Sequence, residues 1–357
     1  MEESKNELDE LEKNETEEHE YTTTYKLNSY GIDFDVNGLV RRQNSHSIYL
    51  PDFQRNYVWS KKKASKFIES LLLGLPIPSV CLYKEEDNKQ IIIDGFQRLE
   101  SIRLFYSKKF SDGSKFALVS VNSSFEGKTI EDLDEELRLK LDDTLIHATV
   151  VKADDPQEQN YNAVYLIFER LNTGGVNLTP QEIRSCVYHG SFQKIIQNLV
   201  KDENFKKVLI VSSKRKKDQE IVIRLLSLAD SYEEYTGNMK EFLNHYCDIN
   251  KNKSEADCSV QVNLFNQTFS FLSQLDSNIF RPSKVLNLAI LDAVFVGTYK
   301  YLQTGKNLDF NKYSSAIRGM VNSSDFQKNI ETGKTHHSIP LKERIEIAIK
   351  KIQECNE

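Results

Sequence analysis

The sequence has few cysteines and no paired cysteine motif. Five cysteines are scattered over 357 residues without a Cys-x-x-Cys pair: Cys81, Cys186, Cys247, Cys258 and Cys355. An odd number of isolated cysteines is typical of reduced thiols and argues against a disulfide framework or a cysteine zinc site. We therefore expect a protein of the cytoplasm.

Long apolar runs are also missing. No stretch approaches the roughly 20 apolar residues that span a bilayer, and the acidic start lacks the basic and apolar regions of a signal peptide. We expect a soluble chain with no membrane partner.

The common phosphate-binding fingerprints are absent as well. A Walker A motif at Gly127-Lys128-Thr129 would need glycine at Asn122, and one at Gly333-Lys334-Thr335 would need glycine at Lys328. No Gly-x-Gly-x-x-Gly occurs. A P-loop enzyme and a Rossmann dinucleotide site are therefore excluded.

Charge separates the first residues from the remainder. Residues 1–20 hold ten acidic residues and two lysines, a charge of −8, so the rest of the chain carries +2 of the net −6. An acidic segment without aromatic residues before Tyr21 cannot bury enough surface to fold, so we predict a disordered tail over residues 1–24. Such a tail either screens a basic groove or only keeps the chain soluble.

The remaining sequence supports a large core, with 39% apolar and 10% aromatic residues overall. Strand and helix patterns alternate between residues 48 and 151, whereas helical periodicity dominates after Pro156. We predict an α/β domain over 25–155 and a helical domain over 156–357. The predicted strands are 80–83, 91–93, 116–119 and 145–151; the predicted helices of the first domain are 62–73, 97–105 and 130–141. Those of the second are 158–171, 179–188, 192–200, 219–235, 239–246, 260–275, 285–301, 313–321 and 341–352.

One strand-to-helix turn is the most informative feature. Three β-branched residues, Ile91-Ile92-Ile93, predict a buried strand, and Asp94-Gly95 breaks it before a helical run. Free backbone N–H groups at such a turn favour an anion, Arg98 can contact phosphate oxygens, and Asp94 can bind a metal or a ribose hydroxyl. The alternative is an ordinary Asp-Gly turn in which Arg98 pairs with a nearby acid.

Three further segments surround this turn in a characteristic order. They are residues 50–59 (Leu-Pro-Asp-Phe-Gln-Arg-Asn-Tyr-Val-Trp), residues 74–79 (Gly-Leu-Pro-Ile-Pro-Ser) and residues 168–180, which contain Arg-Leu-Asn-Thr-Gly-Gly. The ordered set resembles the N-terminal domain of GmrSD-type, modification-dependent restriction enzymes, itself similar to the ParB and sulfiredoxin folds. The resemblance implies an α+β protein: a ParB/sulfiredoxin-like α/β domain followed by an all-helical domain.

The resemblance also implies site residues. Asp94, Gly95, Gln97 and Arg98 occupy the family's Asp-Gly-Gln-Gln-Arg signature, in which Phe96 replaces the first Gln. By resemblance, Asp94, Gln97 and Arg98 are the catalytic candidates, and Asp94 is the ligand of a Mg²⁺ ion. The residues implied to bind a nucleoside triphosphate are Gln54, Arg55, Asp94, Gly95, Gln97, Arg98, Arg170, Asn172, Thr173 and Gly174. If the missing Gln orients water, this chain binds nucleotide but hydrolyses it poorly.

A capping box marks the end of the last segment. Thr179-Pro180-Gln181-Glu182 predicts a helix that starts beside the Gly174-Gly175 loop. The glycines allow close approach of backbone to phosphates or bases, and an ordinary turn between helices is the alternative.

A basic cluster provides the candidate nucleic-acid contacts: Lys206, Lys207, Lys214, Arg215, Lys216 and Lys217. A solvated charged face is the alternative. Full-length GmrSD-like enzymes resemble one another in carrying a His-Asn-His nuclease domain at the C-terminus. No His-Asn-His arrangement accompanies His336 and His337 in this sequence, and we interpret these two histidines as surface residues.

The resemblance to the GmrSD N-terminal domain implies an antiphage-defence protein that binds a nucleoside triphosphate with Mg²⁺ and thereby controls nucleic-acid recognition or a separate effector nuclease. The alternative is a regulatory or antitoxin-like interaction module that keeps the ParB-like fold without enzyme activity. The sequence leaves the oligomeric state open.

Overall fold

The computed structural model describes residues 27–50, 57–85, 87–153, 161–171, 178–209, 216–282, 284–330 and 337–355. These residues form two compact units that meet in sequence between Leu178 and Thr179. We call residues 27–178 the N-terminal unit and residues 179–355 the C-terminal unit.

A mixed five-stranded sheet forms the centre of the N-terminal unit. Its strands are β1 (Leu27–Asp35), β2 (Ile48–Tyr49), β3 (Val80–Lys84), β4 (Gln90–Asp94) and β5 (Leu145–Ala153). They lie in the order β1-β5-β3-β4-β2. The β1–β5 and β3–β4 pairs are antiparallel, whereas β3–β5 and β2–β4 are parallel.

Five described helices belong to this unit: α1 (Val36–Asn44), α2 (Lys61–Leu73), α3 (Phe96–Tyr106), α4 (Glu135–Asp142) and α5 (Tyr161–Leu171). Asp35, Ser60 and Asp134 cap the first turns of α1, α2 and α4 by accepting backbone N–H bonds. Gly74 ends α2 in the left-handed conformation at φ 75°. Apolar residues of α1 to α4 pack on the sheet in one core, which includes Leu39, Ile68, Leu82, Ile92 and Leu99.

The regular secondary structure of the C-terminal unit is helical over its described residues. Its α-helices are α6 (Pro180–Val187), α7 (Ser191–Leu199), α8 (Glu203–Leu209), α9 (Lys217–Ser231), α10 (Met239–Asn250), α11 (Ser259–Leu272), α12 (Leu288–Gln303), α13 (Phe310–Val321), α14 (Ser324–Lys328) and α15 (Ser338–Glu354). Helices α12 and α15 pack against each other, and Gly297 allows the close approach of Ala348.

A buried ion cluster ties three of these helices together. Asp292 of α12 accepts two bonds from Arg224 of α9, at 2.9 and 2.7 Å, and one from Arg344 of α15 at 3.2 Å. Asp292 and Arg344 are fully buried. Arg224 and Arg344 therefore share the carboxylate of Asp292 inside the unit.

The α+β first unit and the helical second unit confirm the predicted fold class. The predicted strand at residues 116–119 is wrong, because Phe116 and Leu118 are buried on a loop that bonds to the carbonyls of Lys108 and Lys128. The predicted helix at 130–141 begins five residues later, at Glu135, after its Asp134 cap. Strand β1 and helix α1 were not predicted.

None of the helices within the described ranges is long and apolar enough to cross a membrane. No disulfide joins the five cysteines, all of which lie within the described residues, and four of them are buried.

Candidate functional site

The predicted turn joins the centre of the sheet to a helix. Asp94 is the last residue of β4 and Phe96 is the first residue of α3. Between them Gly95 has φ 96°, and a Cβ atom there would stand 2.5 Å from Cγ1 of Val80. Glycine is required here for two reasons: a side chain disfavours a positive φ, and a side chain at this position would also collide with Val80 of β3. The turn geometry therefore depends on Gly95.

Arg98 is held beneath this turn by three acceptors. Its Nη2 donates to Oδ2 of Asp94 at 2.7 Å, and its Nη1 donates to the carbonyl of Ser79 at 3.1 Å and to that of Pro78. The side chain of Arg98 is 13% exposed, whereas that of Asp94 is 45% exposed. The carboxylate is thus the accessible member of the pair, and Arg98 also fastens the loop that enters β3.

The first turn of α3 presents backbone donors without a side-chain cap. Gly95 occupies the N-cap position, and no side chain of the described residues accepts from this turn. The N-terminal amides of a helix carry partial positive charge, which favours an anion at this end. Asp94 and these amides therefore offer an acceptor and donors next to each other.

Gln97 faces a different segment of the chain. Its Oε1 accepts from the backbone N–H groups of Val58 and Trp59, at 3.0 and 3.1 Å. Its Nε2 atom is buried and has no hydrogen-bond partner among the described residues. The amide oxygen of Gln97 therefore positions the start of α2 rather than the Asp94 turn.

A second contact strengthens this attachment. The hydroxyl groups of Tyr57 and Ser101 lie 2.7 Å apart, and Ser101 also donates to the carbonyl of Gln97. Burial raises the pKa of Tyr57 to about 12, so its hydroxyl stays protonated at neutral pH. Residues 57–59 are consequently attached to α3. Gln54 and Arg55, which precede them in sequence, lie outside the described residues.

Phe96 takes the position that the family signature gives to a glutamine. Its ring is partly buried against the apolar core of the N-terminal unit. An apolar ring cannot orient water through hydrogen bonds. This position therefore supplies packing.

The neighbouring strand is irregular at the site. Cys81 of β3 pairs with Asp94, and the register shifts between Cys81 and Leu82. Burial, and then the charge of Asp94, raise the pKa of Cys81 to about 11. The thiol is therefore protonated at neutral pH. Bulges frequently lie beside functional sites because they redirect a side chain.

The second predicted motif is only partly described. Arg170 is exposed in the last turn of α5, and α5 packs against β4, the strand that ends at Asp94. Asn172, Thr173 and Gly174 lie outside the described residues. The capping box beyond them is confirmed: Thr179 Oγ1 accepts from the N–H of Glu182 at 3.2 Å, and the Glu182 carboxylate accepts from that of Thr179 at 2.8 Å.

The basic residues of the C-terminal unit do not share one environment. Lys206 and Lys207 are exposed on α8, where Lys206 pairs with Glu203 at 2.7 Å. Lys217 is buried at 8% exposure, and burial lowers the pKa of Lys216. Lys214 and Arg215 lie outside the described residues. Of the four lysines of this basic cluster that the structure describes, Lys206 and Lys207 are therefore the two exposed to an anionic partner.

Within the described ranges, no group of three or more His, Cys, Asp and Glu residues is arranged to hold a metal ion. Asp94 would hold Mg²⁺ together with phosphate oxygens rather than as part of a protein cage, which is the usual arrangement for this ion. His337 is exposed at the start of α15, and His336 lies outside the described residues.

Sequence reasoning missed several residues of this site. The acceptors of Pro78 and Ser79 are backbone carbonyls, so no side-chain pattern marks them. The partners of Gln97 are likewise backbone N–H groups, 38 and 39 residues away in sequence. The Gly-Leu-Pro-Ile-Pro-Ser segment was the one available signal, because it occurs beside the signature in the family order.

The chain matches a known family model over part of its length. Residues 36–189 match the family described as "GmrSD restriction endonuclease, N-terminal domain". The match covers the Asp94 turn, α5 and the capping box at Thr179, and it confirms the resemblance found in the sequence. No curated protein and no solved structure matched the chain.

Proposed function

We propose a function from the premise that residues 36–189 belong to the GmrSD restriction endonuclease N-terminal domain family. The chain acts in a restriction system directed against phage. It binds a nucleoside triphosphate at the turn from Asp94 to Arg98, and the bound state controls nucleic-acid recognition or a separate effector nuclease.

The observation that carries this proposal is the uncapped start of α3 beside Asp94. The amides of the first helical turn are suited to phosphate oxygens, and Gly95 at the N-cap carries no side chain that could accept from them. Asp94 is the one acidic group of the turn, and nearly half of its side-chain surface is exposed. These residues fit a magnesium–triphosphate: amides and Arg98 for phosphate, Asp94 for the ion.

Nucleotide binding at this site requires a change in the ion pair between Asp94 and Arg98. Arg98 Nη2 is engaged by Asp94, so a phosphate oxygen would replace that carboxylate as its acceptor. The Nη1 bonds to Pro78 and Ser79 can persist, because they use the other nitrogen. Magnesium supplies positive charge that offsets the repulsion between Asp94 and the triphosphate.

Two features favour weak hydrolysis or none. Phe96 provides no hydrogen bond to water, and the Gln97 amide oxygen is occupied by Val58 and Trp59. These same features support the alternative function, a regulatory or antitoxin-like module that uses the fold without nucleotide turnover. Arg98 then serves only to hold the turn together.

Calorimetry and thermal shift with the four common ribonucleoside triphosphates distinguish the two functions. With Mg²⁺, we expect saturable heat and a rise in Tm for at least one nucleotide. Asp94→Asn should remove the dependence on Mg²⁺, and Arg98→Lys should weaken binding at least tenfold, because lysine cannot reproduce the two-sided contacts of a guanidinium.

Arg103→Gln is the matched control. Arg103 lies on the same helix, is paired with Glu100 at 2.6 Å, and is remote from the Asp94 turn by more than one helical turn. Its loss should leave nucleotide binding unchanged. Absence of heat and of any Tm rise for all four nucleotides in the wild-type chain would refute nucleotide binding and leave the interaction module.

A further inference from the structure

Strand β1 forms a long edge of the sheet. It runs for nine residues, from Leu27 to Asp35, and pairs on one side with the full length of β5. No strand within the described residues pairs with its other side. Backbone N–H and C=O groups along this edge are therefore available to another strand.

The edge has few of the features that prevent pairing. It contains no proline, lysine or arginine, and its pairing with β5 continues through nine residue pairs without a register shift. The opposite edge of the same sheet is different, because β2 has only two residues. One edge is thus protected by its shortness, whereas the other is a long and regular template.

An apolar row on this strand extends beyond the core. Phe34, Ile32 and Tyr30 lie on one face and pair with Ile146, Ala148 and Val150 of β5, which are buried core residues. Exposure rises along the row, from 6% at Phe34 to 37% at Ile32 and 39% at Tyr30. The core-side face of the sheet therefore continues at β1 into surface that the described residues leave exposed.

We propose that β1 pairs with β1 of a second copy of this chain, antiparallel about a twofold axis at Gly31. In this register all nine residues are paired. Tyr30 lies opposite Ile32 of the second copy and Ile32 lies opposite Tyr30, so two aromatic to β-branched pairs cover the exposed apolar row. Such pairs are among the favourable cross-strand combinations.

The charges on the strand are compatible with this register. Asp33 faces Ser29 and Asp35 faces Leu27, so no carboxylate opposes another. Asp33 Oδ1 already accepts from Nδ1 of His147 at 2.7 Å, which leaves its second oxygen for the hydroxyl of Ser29. A twofold interface must be complementary to itself, and this pattern satisfies that condition.

The acidic segment that precedes β1 does not oppose the pairing. The two Leu27 ends lie at opposite ends of the paired strands, about 27 Å apart at 3.4 Å per residue. This distance exceeds the Debye length of about 8 Å at physiological ionic strength. The register therefore keeps the points where the two acidic segments join β1, each segment carrying −8 in residues 1–20, more than a Debye length apart.

A strand edge is a small interface, so the dimer should form at micromolar concentrations. Sedimentation equilibrium of the full chain, from about 1 to 100 μM, should show a monomer–dimer equilibrium. Ile32→Lys should weaken it at least tenfold, because two ammonium groups would then enter the paired apolar row. A chain that is monomeric over the whole range would overturn the proposal.

Leu145→Lys is the matched control. Leu145 is also an exposed apolar residue, at 61%, but it belongs to β5 and lies on the opposite face of the sheet. This variant should dimerise like the wild type. Circular dichroism melts of both variants establish that they are folded. Equal dimerisation of the Ile32→Lys and wild-type chains would exclude β1 as the interface.

Cysteine cross-linking tests the register. Tyr30→Cys and Ile32→Cys are made separately in a Cys355→Ser background, since Cys355 is the one cysteine that is not fully buried. Under copper–phenanthroline oxidation, a mixture of the two variants should form a disulfide-linked dimer much faster than either variant alone. Equal rates in the mixture and in the separate samples would contradict pairing about Gly31.

Discussion

Asp94 and Arg98 are joined by a 2.7 Å ion pair across the turn between β4 and α3. The pair brings together the last residue of a central strand and the first turn of a helix, and Arg98 extends the link to the carbonyls of Pro78 and Ser79. The residues of the candidate nucleotide site therefore also hold β4, α3 and the loop before β3 together. Substitutions here must be measured for stability as well as for binding.

Arg98→Ala should lower the free energy of unfolding by about 2 kcal/mol, because Asp94 and two carbonyls lose a charged donor. Asp94→Ala should cost less, about 1 kcal/mol, because this carboxylate is half exposed and its ion pair is partly screened. Urea denaturation measures both. Equal costs, or a costlier Asp94 variant, would mean that the carbonyl contacts of Arg98 contribute little.

Gly95→Ala should destabilise the N-terminal unit by about 3 kcal/mol, since it combines a left-handed backbone with a collision at Val80. Gly113→Ala is the control: φ is 81° there as well, but no atom lies within 4 Å of the new Cβ. The control should cost only about 1 kcal/mol. The difference between the two variants in urea denaturation isolates the close approach of β3 to the turn.

Gln97→Ala should release residues 58 and 59 from α3. Trp59 is the single tryptophan of the chain, and its ring contacts Phe67 edge-on and lies 4.7 Å from Nζ of Lys63. Its fluorescence should therefore shift to longer wavelength in this variant, as the ring gains solvent. Arg103→Gln, on the same helix, should leave the emission unchanged. An unshifted spectrum for Gln97→Ala would show that Tyr57 alone holds the segment.

Glu69 should make stability depend on acid pH. The hydrogen bond from Lys66, at 2.8 Å, and that from the N–H of Asn122, at 2.5 Å, lower its pKa below the ordinary 4.5. A carboxyl with a depressed folded-state pKa stabilises the protein above its unfolded pKa and loses this contribution as pH falls through the folded value.

Glu69→Gln should consequently cost about 1 kcal/mol at pH 7 and progressively less below about pH 4.5. Lys66→Met removes the largest cause of the lowered Glu69 pKa. The pH at which stability declines should therefore be higher in this variant than in the wild type. Thermal melts between pH 3 and 7 measure both effects. A Glu69→Gln cost that is constant over this range would refute the assignment.

Asp292→Asn should destabilise the C-terminal unit by about 3 kcal/mol, because it leaves the guanidinium groups of Arg224 and Arg344 facing a neutral amide in a buried site. Asp325→Asn is the matched control: its carboxylate pairs with Lys328 but is 81% exposed. The control should change stability by less than about 0.5 kcal/mol. Similar costs for both would indicate that water reaches Asp292.

The parts of this structure that short sequence patterns encode were predicted well. A β-branched run followed by Asp-Gly specifies a buried strand, a turn and a helix at Gln90–Tyr106, and Thr179 to Glu182 specify a helix start. In each case the determining contacts lie within a few residues. Local sequence therefore contains the required information.

The long-range contacts of the site were decided only by the tertiary structure. The partners of Arg98 lie up to 20 residues away, and those of Gln97 lie up to 39 residues away, and all are backbone atoms or a carboxylate with no distinguishing pattern. The same limit explains the error at residues 116–119. Burial of Phe116 and Leu118 is encoded locally, but the choice of hydrogen-bond partner is not.

Strand β1 is a further element that the sequence analysis did not predict. Tyr30, Ile32 and Phe34 alternate with small or acidic residues, a strand pattern that the sequence analysis did not use, and pairing with β5 more than 100 residues later makes the segment extended. The sequence by itself determined the α+β class and the Asp94-Gly95 turn, because these depend on neighbouring residues, and it contained the motifs that resemble the GmrSD N-terminal domain family. Tertiary packing decided which groups meet at that turn and which edge of the sheet stays open, because both depend on segments that only the folded chain brings together.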